Sequence, residues 1–131
     1  MDLSQGPPGR IAFFLPTLVG GGAERVIVNL AQAIAERGLP VELVVAQATG
    51  ELLAQRPASV PLVDLGARRV LHSIGPLARH LRRTRPRVVV SSMSHANLVA
   101  LWAARLARTG TPVIATVHNT MSRSTPQQGG V

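Results

Sequence analysis

Ile11-Ala12-Phe13-Phe14-Leu15-Pro16-Thr17-Leu18-Val19-Gly20-Gly21-Gly22-Ala23-Glu24-Arg25-Val26 is the stretch on which the fold turns. Its first five residues are wholly apolar, as a strand buried on both faces requires. Pro16 ends that strand. Residues 17–22 form a loop closing on three glycines. From residue 23 to 37, Val26, Ile27, Leu30, Ala31 and Ile34 recur at helical spacing. Gly38 stops that helix. A buried strand, a glycine turn and an amphipathic helix form the first half of a βαβ unit.

The same alternation continues downstream. Residues 41–46 read as a second strand and residues 60–65 as a third, which Pro61 marks as an edge strand. Ile74, Leu77, Ala78 and Leu81 make one helical stripe, with Pro76 in the first turn. Residues 88–91 form a fourth strand. Ser94 is in position to cap a helix over residues 96–108 that carries Leu98, Leu101, Trp102 and Leu106. Gly110 closes that helix, and residues 113–117 give a fifth strand. The expected fold is a Rossmann-like three-layer α/β/α domain with a mostly parallel sheet of about five strands. The expected strand order is 3-2-1-4-5, with the first strand central. Residues 1–9 read as a loose arm, residues 10–119 as the domain, and residues 120–131 as a polar, disordered tail.

Size and composition narrow the function. A chain of 131 residues holds one domain with a real core. The formal net charge is +8, and every one of the 14 basic residues is Arg. Arg forks suit phosphate and carboxylate, but base-composition bias yields the same excess. Two Phe and one Trp, without Tyr, leave no base-stacking platform, so nucleic acid is not an expected partner. The absence of Cys excludes disulfides and thiolate metal sites. No His pair has metal-ligand spacing, so no metal and no cofactor are expected. There is no apolar run of membrane-spanning length and no signal peptide. The expected location is the cytoplasm, with a peripheral contact on the inner face of the membrane.

In an open parallel sheet, ligands bind at the carboxyl ends of the strands, where the strand order reverses. Three segments meet there in the expected topology: Gly20-Gly21-Gly22, Ser92-Met93-Ser94-His95, and His118-Asn119. Glycines let a ligand approach the backbone, and the helix behind them offers free N–H groups to a phosphate or acidic group. A plain tight turn accounts for the glycines equally well. A dinucleotide fingerprint starting at Gly20 would need Gly at Arg25, and an acidic residue where Gln47 stands. A Walker loop needs a Lys. Glu24 in the first helical turn complements the dipole, whereas Arg25 opposes it, and contact with an anionic ligand would explain Arg25. His80 and His72 read as solvated.

The run from Phe13 to Val26, with Asn29-Leu30-Ala31 and Arg37-Gly38, resembles the opening of glycosyltransferase family four. His95-Ala96-Asn97-Leu98 and Thr116-Val117-His118-Asn119 are similar to later parts of the same family's N-terminal domain. The resemblance spans about residues 10–119. It implies one half of a GT-B enzyme, which moves a sugar from a nucleotide-sugar donor to an acceptor without a bound metal. It also implies that Gly21 and Gly22 approach the acceptor or the donor phosphates, and that His118 is catalytic. Arg25, His95 and Asn119 join them as expected substrate-binding residues. The nucleotide-binding half lies outside this sequence. The expectation is therefore an incomplete transferase, inactive alone, that meets a nucleotide-sugar only together with a C-terminal domain. Two other classes are compatible with the residues. One is a stand-alone binding module for a phosphate-bearing ligand. The other is a basic membrane-surface adaptor whose cationic face is Arg79, Arg82 and Arg83, touching anionic lipid.

Overall fold

Five short apolar runs with parallel register build the centre of the molecule. The computed structural model describes residues 9–56 and 58–116. The strands are β1 (Ile11–Leu15), β2 (Val41–Val45), β3 (Leu62–Asp64), β4 (Val88–Ser92) and β5 (Val113–Thr116). They lie in the order β3-β2-β1-β4-β5, and every neighbouring pair is parallel. β1 is central because both its faces are apolar: Phe13 pairs with Leu43 on one side and Val90 on the other. β3 is an edge strand, as Pro61 announced, and Pro61 stands just before it, where its carbonyl accepts from Leu43 N–H at 2.9 Å.

The helices are α1 (Gly22–Glu36), α2 (Ile74–Thr84) and α3 (Ser94–Ala107). Alternation along the strands divides the core in two. Phe13, Leu15, Leu43 and Val45 face α1, which contributes Ile27, Val28 and Ala31. Phe14, Val44 and Val89 face α2 and α3. The three-layer α/β/α arrangement follows, with the strand order reversing between β1 and β4.

The structure corrects several local expectations. α3 buries Ala96, Val99, Ala100, Ala103 and Ala107, while Leu98, Leu101, Trp102 and Leu106 are exposed. Two stripes with helical spacing interleave on this helix. The small one faces inward because alanines let α3 lie close to α2 and the sheet. Ser94 does not cap α3: Met93 holds the N-cap position at φ 85°, and no side chain caps it. Nor does Gly110 end the helix, since Arg108 already turns left-handed at φ 57°. His80 is buried, not solvated, because α2 turns positions 77, 78, 80 and 81 inward. Arg79, Arg82 and Arg83 are exposed on the opposite face, as expected. Among the described residues no helix is long and apolar enough to cross a membrane.

A substitution pair tests the α3 assignment. Ala100→Leu should cost about 1–3 kcal/mol through overpacking, although it adds apolar surface. Trp102→Gln should change stability by less than about 0.5 kcal/mol, because the indole is half exposed. Urea unfolding of both variants would decide. A larger loss for Trp102→Gln would mean that the outer stripe, not the inner one, is packed.

Candidate functional site

The carboxyl edge of β1 and β4 is where α1 and α3 begin, on opposite faces of the sheet. Gly21 is the N-cap of α1 and carries no side-chain cap. Its N–H turns back to Val19 O at 2.6 Å, and its carbonyl receives the first intrahelical bond, from Arg25 N–H at 3.1 Å. The N–H groups of Gly22, Ala23 and Glu24 precede that bond, so they have no acceptor within the helix.

The three glycines have different reasons to be glycine. At Gly20 a Cβ would run into the Glu51 carboxylate, and at Gly21 it would lie 2.5 Å from Glu24 Oε1. At Gly22 nothing lies within 4 Å of a Cβ, and the residue is already helical and exposed. The fold itself therefore does not require glycine at position 22, and an alanine would favour the helix. Space kept clear at a helix N-terminus is space a ligand can use.

The glycine loop is held by the segment after β2, a contact that no sequence motif announces. Gln47 N–H bonds to Pro16 O at 3.1 Å, Leu18 N–H to Thr49 O at 2.8 Å, and Leu52 N–H to Leu18 O at 2.9 Å. Leu18 is fully buried and anchors the loop. Gly50, at φ 115°, presses against the Leu18–Val19 peptide. The short 3-10 turn Glu51–Leu53 then carries Glu51 over Gly20.

On the other side of β1, Asn97 ties the ends of β4 and β5 together. Its Oδ1 accepts from Ser91 Oγ at 2.6 Å and its Nδ2 donates to Thr116 O at 3.0 Å. Thr116 Oγ1 in turn donates to Ser91 O at 2.9 Å. This network fixes the start of α3 and the carboxyl end of β5. Met93, at the β4–α3 junction, holds a positive φ that costs a non-glycine residue about 1–3 kcal/mol. Ser92, beside it, is fully buried, and its hydroxyl has no hydrogen-bond partner among the described residues.

Gly21 and Gly22 therefore stand at the strand-order reversal as expected. His95 is exposed on the first turn of α3, just past the end of the adjacent strand β4. Arg25 is exposed on the outward side of α1, away from the buried Glu24. His118 and Asn119 lie outside the described residues. Sequence reading placed Ser92 at this edge but missed Glu51 and Asn97 as neighbours of the site. Only Asn97 carried a signal, because it sits within a stretch that matched a family pattern.

The model of the family described as Glycosyltransferase Family 4 matches residues 20–130, which is most of the 131-residue chain. No curated protein matches the sequence.

Proposed function

The chain belongs to glycosyltransferase family 4, and from that premise we propose that it forms the acceptor-side wall of a GT-B sugar transferase. The complete enzyme moves a sugar from a nucleotide-sugar to an acceptor, using no resident cofactor. The acceptor sits on Gly21 and Gly22 at the carboxyl edge of β1. The family resemblance assigns substrate binding to Arg25, His95 and Asn119 as well, and the catalytic role to His118. The observation that carries this reading is the clear space over Gly22, at a helix start that no side chain caps among the described residues.

Catalysis of this kind needs donor and acceptor held in line between two walls. The purified chain should therefore neither turn over a nucleotide-sugar nor bind one tightly. Calorimetry with UDP- and GDP-sugars, beside a radiolabel transfer assay, checks this. Turnover by the chain alone would overturn it. Gly22→Ala should leave the melting temperature of the chain unchanged or slightly raised, while in a full-length relative the matching change should reduce transfer at least about tenfold. Equal transfer by the two would remove Gly22 from the site.

The exposed Arg79, Arg82 and Arg83 on α2 support a second, weaker contact, with anionic membrane at the cytoplasmic face. Each such Arg contributes about 1 kcal/mol near anionic lipid. Co-sedimentation with phosphatidylserine vesicles should exceed that with phosphatidylcholine vesicles and fall in high salt. Equal sedimentation with both lipids would leave α2 as scaffold.

A further inference from the structure

α3 has two apolar faces, and only the inner one is packed among the described residues. On the outer face Leu98, Leu101, Trp102 and Leu106 are 46% to 55% exposed. They recur at helical spacing and form one stripe about 12 Å long. Among the described residues, Leu98, Leu101 and Trp102 line a hollow of about 230 Å³ together with Arg105. The four apolar side chains leave on the order of 400 Å² in water, about half of the roughly 800 Å² per partner that a stable dimer buries. A single bound segment matches that area, and a second globular surface does not.

Arg105 decides the chemistry of what covers the stripe. It follows Leu101 by four positions and Trp102 by three, so it stands inside the stripe, not at its rim. It is exposed, and among the described residues the ion pair is His80 with Glu42 and does not involve it. No Asp or Glu follows Asp64 in the sequence, so α2, β4, α3 and β5 carry no carboxylate side chain. α2 lies on the same side of the sheet and exposes Arg79, Arg82 and Arg83, and Arg108 is exposed at the end of α3. Covering the stripe takes the Arg105 guanidinium out of water, where a charge must be paired. The occupant has to supply that pair. A second copy related by a two-fold axis would set this basic face against itself. Lipid tails in the hollow would bring the guanidinium no acceptor at all.

We propose that the outer face of α3 docks an acidic amphipathic helix of a partner protein. The apolar residues of that helix fill the hollow, and a Glu or Asp beside them pairs with Arg105. A helical stripe offers ridges and grooves that another helix fits, with anchors at the same three- and four-residue spacing. Trp and Arg are the side chains that most often carry binding energy at such contacts, and Trp102 and Arg105 are neighbours here. The arginines of α2 speed the approach of an acidic partner. This contact does not depend on the sugar-transfer reading, since it lies on the outer surface of α3 and not at the carboxyl edge of the sheet.

Trp102 is the single tryptophan of the chain, so its emission reports on the stripe directly. Two synthetic amphipathic helices with the same Leu pattern and no aromatic residue are titrated into the purified chain, one flanked by Glu and the other by Lys. The Glu peptide should shift Trp102 emission to the blue and saturate, and its binding should weaken in high salt. The Lys peptide should give no shift. Arg105→Glu should bind the Glu peptide about tenfold more weakly and accept the Lys peptide instead. Its melting temperature should match that of the wild type, because Arg105 is exposed. Equal shifts with both peptides, no shift with either, or an unaltered preference in Arg105→Glu would overturn the proposal. A shift with phosphatidylserine vesicles and none with the Glu peptide would assign the face to a membrane and overturn it as well. A blue shift that grows with protein concentration alone, matched by a dimer in analytical ultracentrifugation, would assign it to a second copy with the same consequence.

Discussion

Replacing Gly50 by Ala should unfold a large share of the molecules, with a loss of about 2–4 kcal/mol. Two penalties add at this residue. Its φ of 115° is one that L side chains rarely adopt. A Cβ would also run into the Leu18 carbonyl and the Val19 nitrogen, and backbone cannot move aside as a side-chain tip can. The loop it presses on is buried through Leu18 and tied by Leu18 N–H to Thr49 O. The damage should therefore reach the glycine turn. Chemical denaturation gives the stability, and hydrogen exchange at Leu18 and Leu52 gives the location. Gly66→Ala is the control. It has a positive φ of 70° but nothing within 4 Å of a Cβ, so it should lose only the conformational part, about 1 kcal/mol. Equal losses at the two positions would show that backbone angle alone matters and that the two loops do not press on each other.

The second large effect is expected at the amino end of the sheet, away from the ligand edge. Glu42 on β2 and His80 on α2 are both buried and lie 2.7 Å apart, Oε2 to Nε2. Removing one partner strands the other, so Glu42→Ala should cost about 3 kcal/mol, near the lower end for buried pairs. The lower end applies because a cavity of about 220 Å³ bordered by Glu42, Arg10 and Thr84 can admit water to the carboxylate. Replacing both residues, as Glu42→Leu with His80→Leu, should recover most of the loss. A double-mutant cycle in urea reads the coupling directly. Additive losses would mean that the two side chains contribute independently and that the contact is incidental.

Much of this molecule was legible in the linear sequence. The wholly apolar Ile11–Leu15 could only be a strand covered on both faces, which made β1 central. Pro61 cannot donate to a ladder, so the neighbouring strand went to the edge. Strand and helix alternation then required parallel pairing, and the order reversal between β1 and β4 named the edge where a ligand is expected. These conclusions rest on local rules: side-chain period, the missing N–H of proline, and the handedness of crossovers. Each acts within a few residues or is fixed by chirality.

What the sequence left undecided depended on contacts between residues far apart in the chain. α3 has two apolar stripes, and nothing local says that the alanines face inward and Trp102 outward. The close approach of α2 and the sheet chose the smaller side chains. His80 looked like one more polar residue on an Arg-rich helix until Glu42, on another element, supplied its buried partner. The sign of the glycine loop is the clearest case. Three glycines before a helix suggest an anion site, because the helix end is positive and the backbone is bare. The carboxylate of Glu51 reaches that loop only because residues 47–52 fold back along residues 16–19. Sequence spacing therefore determined where the glycine loop lies in the fold. The carboxylates that surround it were decided by tertiary packing, since electrostatic sign at a point is a sum over neighbours that the chain order does not list.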